Sequence, residues 1–233
     1  MDNLARSQGD SAFISSFADI LAAQGSLPVI APLDQFLKEC REPTALRRPG
    51  QVARAALLAD IAHFMSVSHG RHPGVVDHAA TKIIEDEARG WLVQTIDAFA
   101  AERSYLSKLT VSAGPMNSHS GQEKVSGLLA SQAKSFELLA TSDRAGCAAG
   151  AAIAFTLDWQ TTRPLFDSVA LLLDVKPGIC TLPPSTDSLA VVAALRKSPL
   201  VERAMLFGAQ QLLAQQRGLW KIIAARHAEM REL

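Results

Sequence analysis

Apolar residues recur at helical spacing along almost the entire chain, and no stretch of useful length alternates apolar with polar residues. That period restricts the architecture to packed helices, because an alternating run is what lets a strand bury one face. V-V-A-A-L at 191–195 and I-A-F-T-L at 153–157 have strand propensity, but their flanks continue the helical pattern. At 233 residues the chain is long enough for a full core. The expectation is an all-α fold, a bundle of four to five long helices with additional short ones.

Turn and cap signals divide the pattern. Asp10-Ser11 can cap a first helix that stops at Gly25, and a Pro-punctuated connection leads to a short helix near 33–40. After R-E-P-T-A-L-R-R-P-G a helix runs from about 51 to 67, and the next is expected from Pro73 to Leu109 without a break. The segment 110–122 is a loop, followed by helices at about 123–140 and 144–175, the second containing Pro164. Residues 176–186 form a linker, with helices to follow over 187–197 and 199–229. The last opens on Ser198-Pro199, a capping residue followed by proline at the first helical position. The organisation expected is one domain over 1–233, with its core bundle at 51–175 and its C-terminal helices at 187–229.

Charge and composition exclude some functions. The 23 basic and 23 acidic side chains cancel, which argues against nucleic acid, whose phosphates require clustered Lys and Arg. A net charge near zero also weakens repulsion between copies, so a homo-oligomer is expected. Cys40, Cys147 and Cys180 are widely spaced and form no C-x-x-C pair. The polar N-terminus lacks a signal core, and the apolar run 145–157 is shorter than the ~20 residues a membrane span needs. A cytoplasmic location follows as the expectation.

The stretch S-H-G-R-H-P-G-V-V-D-H at 68–78 holds three of the six histidines. Helix-junction chemistry accounts for it: Gly70 ends one helix, His69 complements its C-terminal dipole, and Pro73 and Asp77 suit the start of the next. His69, His72 and His78 are therefore expected at a junction and on the surface. Small residues Gly146, Gly150 and Ala154 recur every fourth position and allow a neighbouring helix to approach closely, with Asp143 as the expected N-cap. The chain has no P-loop, dinucleotide fingerprint, G-x-S-x-G or H-E-x-x-H.

Carboxylates on apolar helix faces are the most informative residues. Asp60 and His63 share one stripe three residues apart, Glu102 lies on the face of Trp91 and Phe99, Glu137 lies beside alanines, and Asp158 lies on the face of Phe155. At the level of arrangement this resembles the ferritin-like di-iron carboxylate proteins, with D-I-A-H at 60–63 where that family has E-x-x-H. The resemblance implies an iron- or manganese-dependent oxidase or hydroxylase built on Asp60, His63, Glu102, Glu137 and Asp158. It departs from the family in lacking any E-x-x-H; Tyr105 and Thr161 stand three residues after Glu102 and Asp158. The alternative is that these carboxylates pair with Arg103, Arg144 or Arg163.

E-R-S-Y-L at 102–106 suits the mouth of a ligand pocket, with Glu102, Arg103, Tyr105 and Trp91 as its residues. D-R-A-G-C-A-A-G-A-A and A-G-P-M-N-S together resemble an uncharacterised all-helical family of alphaproteobacteria, which implies no activity. The favoured reading is a cofactor-free helical protein that binds a protein partner or a small apolar ligand. The last helix, with Leu206, Ala209, Leu212, Leu213, Trp220 and Ile223, is the expected interface for self-association. Whether the chain is an enzyme stays open, with the metal-dependent oxidase as the second reading.

Overall fold

The computed structural model describes residues 2–41, 51–116 and 122–232. Of the loops expected at 41–50 and 110–122, residues 42–50 and 117–121 lie outside these residues, while 110–113 continue the helix that precedes them. The described chain is all-α, with helices α1 (Asp2–Gln24), α2 (Leu27–Glu39), α3 (Gln51–His69), α4 (Val75–Ala80) and α5 (Asp86–Ala113) in its first half. Then come α6 (Gln122–Ala140), α7 (Cys147–Leu172), α8 (Ser185–Ala194) and α9 (Pro199–Glu232).

The axis of the molecule is the pair α7 and α9. From Cys147 to Trp159 every residue of α7 is buried, as a helix apolar on all sides must be. The spacing of small residues finds its cause here. A Cβ on Gly150 would sit 2.0 Å from the Met205 carbonyl oxygen, and one on Gly208 would sit 2.1 Å from that of Cys147. Only glycine lets the two backbones come this close, and the crossing is made in the protein core. Asp143 does not cap α7; that position belongs to Gly146, whose φ of 92° favours glycine, while exposed Asp143 pairs with Lys82.

Most of the last-helix face expected to join two copies is core, with Leu206 half-buried against it. Ala209, Leu212, Leu213, Trp220 and Ile223 are fully buried within the chain, packed with α7, α3 and α1. The core extends likewise beyond 51–175, since Phe13 and Phe17 of α1 and Leu33 and Leu37 of α2 belong to it.

Helix ends follow local chemistry. The expected start of α9 holds, with the Val201 N–H donating to Ser198 Oγ at 3.3 Å. One helix was expected over 73–109, but α4 ends at Ala80 and α5 starts at Asp86. Thr81 Oγ1 donates to the His78 carbonyl, Glu85 is extended, and Asp86 and Glu87 occupy the first turn of α5, where acids complement the dipole. The first helix begins at Asp2 rather than Asp10, and Asp10 instead pairs with Arg196 of the α8–α9 connection at 2.6 Å. Helices α1 and α2 meet at Gly25-Ser26 with a bend of 49°. No single helix among the described residues is long and apolar enough to cross a membrane.

Candidate functional site

Glu102 projects from α5 into the core, 2% exposed, where a lone carboxylate would be costly. Its partner is Arg163 of α7, with Nε 2.9 Å from Oε2, and the Trp159 indole N–H donates to Oε2 at 3.0 Å. The same guanidinium pairs with Asp167, lies 4.3 Å above the Tyr105 ring, and donates from Nη2 to the Gly178 carbonyl at 2.8 Å. Tyr105 donates its hydroxyl to Asp167 at 2.9 Å, and burial pushes the phenol pKa well up. Glu102 and Tyr105 thus form a closed network that ties the linker to the bundle. Arg103 points elsewhere, to Asp77 at 3.0 Å, and Trp91 donates its indole N–H to Ser188 of α8 at 3.0 Å. The four residues expected at one pocket mouth hold three separate packing contacts.

The five expected metal ligands are dispersed in the same way. Asp60 accepts from Arg226 Nε of α9 at 2.8 Å. Its neighbour His63 donates from Nε2 to the Gly114 carbonyl at 2.7 Å, so the two do not pair with each other. Glu137 is on the surface with Lys134 at 2.9 Å, which holds its carboxyl below the usual range. Asp158 accepts from Ser26, as described below. Among the described residues no three His, Cys, Asp or Glu side chains stand together where a metal ion could be shared. The donors are each spent on a separate partner, and the five do not converge as the ferritin-like resemblance implies.

The histidine stretch also divides. His69 is not a surface cation: it is 8% exposed, and its ring lies 4.8 Å from Phe136, 4.9 Å from Phe155 and 5.6 Å from Trp159. Burial lowers its pKa to about 4, against the opposing hydrogen bond to Gln216. His72 is on the surface beside Asp77, at 3.3 Å. Asp77 in turn accepts from the Gly74 N–H at 2.7 Å and starts α4, as expected of it.

What remains is a cleft that the sequence did not announce. It has a volume of about 340 Å³ and lies between the α1–α2 elbow, α7 and α8. Leu21, Ala22, Leu27, Pro28, Leu157 and Leu189 form most of its wall. Leu27 is 54% exposed and adds apolar surface to the cleft wall. Asp158 reaches the cleft from α7, is 2% exposed, and accepts from Ser26 N–H at 2.7 Å and Ser26 Oγ at 2.6 Å. These two bonds fix the elbow: the Ser26 hydroxyl is turned to Asp158 and makes no cap bond to α2. The charge of Arg217, which donates Nη1 to the Ala23 carbonyl at 2.9 Å, favours the ionised form of Asp158. No basic side chain among the described residues forms an ion pair with Asp158, and burial raises its pKa against the pull of the Ser26 donors. The residue was legible as an apolar-face carboxylate. Its partner was not, because Ser26 is 132 positions away.

Fold and cleft together define an all-helical protein with a small apolar recess bordered by a buried acid, Asp158. The chain belongs to the family of unknown function DUF6975, whose model matches residues 38–232. Neither a curated protein nor a solved structure matches the chain. The α7 and α8 walls of the cleft fall within the matched stretch, and the elbow precedes it.

Proposed function

We propose that this is a binding protein for a small apolar molecule, held in the cleft between the α1–α2 elbow, α7 and α8. The observation that carries this reading is the apolar wall itself, in which Leu21, Ala22, Leu27, Pro28 and Leu189 are left at least partly open to solvent over the buried Leu157. At about 340 Å³ the cleft lies at the small end of ligand sites. It contains one ionisable side chain, Asp158, and no histidine, cysteine or lysine. A paired acid and base is therefore lacking, which favours binding over catalysis.

The test is titration of the protein with 1-butanol and 1-hexanol, followed by amide chemical shifts. Each buried methylene contributes about 0.8 kcal/mol, so two more should tighten binding about tenfold. Shifts should concentrate at residues 18–28, 157–161 and 185–189. Ala22→Trp, which fills the recess from an exposed position, should abolish the response while leaving the remaining spectrum folded. Absence of saturable binding, or an unchanged response in A22W, overturns the reading.

A further inference from the structure

We infer that the ligand of this cleft is an amphipathic organic cation, an alkyl chain ending in an ammonium group, with Asp158 as its counter-ion. The inference rests on the cleft being the ligand site and adds the chemistry of its occupant. Asp158 combines three properties that the other buried acids lack together. Glu102 is neutralised by Arg163 and Asp60 by Arg226, whereas Asp158 has no ion-pair partner among the described residues. It borders a recess that can admit a ligand. Its two oxygens take one donor each from Ser26, so each keeps acceptor capacity for another.

The surroundings select the same chemistry. Apart from Asp158, the wall is neutral: aliphatic side chains, glycine, proline, and the hydroxyls of Thr161 and Ser185. An alkyl chain can lie on Leu21, Leu27 and Leu189 while its ammonium reaches Asp158. Such a contact exchanges a costly unpaired carboxylate for a paired one, and the low local polarity strengthens the attraction. An alkyl carboxylate would meet like charge at the same point. An alcohol would gain the apolar contacts and a single neutral hydrogen bond.

The experiment compares hexylammonium, 1-hexanol and hexanoate on the full chain, with wild type and two variants. Asp158→Asn keeps an acceptor for the Ser26 N–H and removes the charge. Thr161→Lys, at an exposed position one turn away, supplies an internal ammonium without touching the elbow. Wild type should bind hexylammonium about tenfold or more tightly than 1-hexanol, and hexanoate least. Both variants should lose that advantage, so that hexylammonium binds no more tightly than 1-hexanol to either; if D158N does not fold, T161K carries the comparison alone. Hexanol binding with no ammonium advantage, an advantage that persists in the variants, or preference for hexanoate overturns the inference and leaves the cleft reading standing. Failure of all three compounds to bind overturns both.

Discussion

Acidification from pH 6.5 to about 4 should destabilise this protein through His69. In the folded chain the ring is enclosed by Phe136, Phe155 and Trp159, and its pKa falls from 6.5 to about 4. Gln216 Oε1 can only accept, so the hydrogen bond at 2.9 Å places a proton on Nε2 in either charge state, and desolvation outweighs its upward pull on the pKa. Above pH 6.5 both folded and unfolded chains carry a neutral imidazole, and the contribution is at its full value. As pH falls below 6.5 the unfolded chain takes up a proton that the folded one refuses. Stability therefore declines until about pH 4, where the folded ring titrates as well. At about 1.4 kcal/mol for each pH unit of the interval, the loss amounts to about 3 kcal/mol. That is a large fraction of the stability of an ordinary domain. The assay is urea denaturation at half-unit steps from pH 7.5 to 3.5, comparing wild type with His69→Gln. Glutamine keeps an N–H for Gln216 and cannot titrate. It lowers stability at every pH by losing ring contacts, but the stability difference between the two proteins should shrink by about 3 kcal/mol on acidification. His227, also depressed by burial, is common to both and cancels. Parallel curves, or a His69 NMR titration centred near 6.5, would refute the burial argument.

Four further outcomes are expected. Phe155→Ala should cost about 3–5 kcal/mol in the same assay, because its ring is buried and stacks on Phe99 at 4.8 Å. Arg163→Met should cost about 3–5 kcal/mol by leaving Glu102 buried without a counter-charge. It should also release the linker at Gly178 to hydrogen exchange, and Glu102→Gln in the same background should recover part of the loss. Gly150→Ala should destabilise by at least about 1–3 kcal/mol, since its Cβ meets backbone rather than a movable side-chain end. Stripped protein titrated with iron or manganese should show no rise in melting temperature, because Asp60, His63, Glu102, Glu137 and Asp158 already have separate partners.

The sequence by itself determined the all-α class, most helix spans, the Ser198-Pro199 start, the Gly25 stop and the close helix crossing at Gly150. Each of these depends on residues within a few positions of one another, and local steric and hydrogen-bonding rules act over that range. Local signals also existed for the break between α4 and α5, where Glu85-Asp86-Glu87 opens a helix, but the unbroken apolar period obscured them. Partners were a different matter. A helical wheel placed Glu102 and Asp158 on apolar faces, yet a face does not say what stands opposite. Only the tertiary structure decided that Glu102 meets Arg163 and Trp159, that Asp60 meets Arg226, and that Asp158 meets Ser26 at the elbow. His69 shows the same division. Its position in the last turn of α3 was legible, and a solvated cation was the natural expectation there. Rings from α6 and α7 enclose it instead, and desolvation outweighs the dipole. The cleft belongs wholly to tertiary structure, because its walls come from four helices whose separation no sequence period encodes.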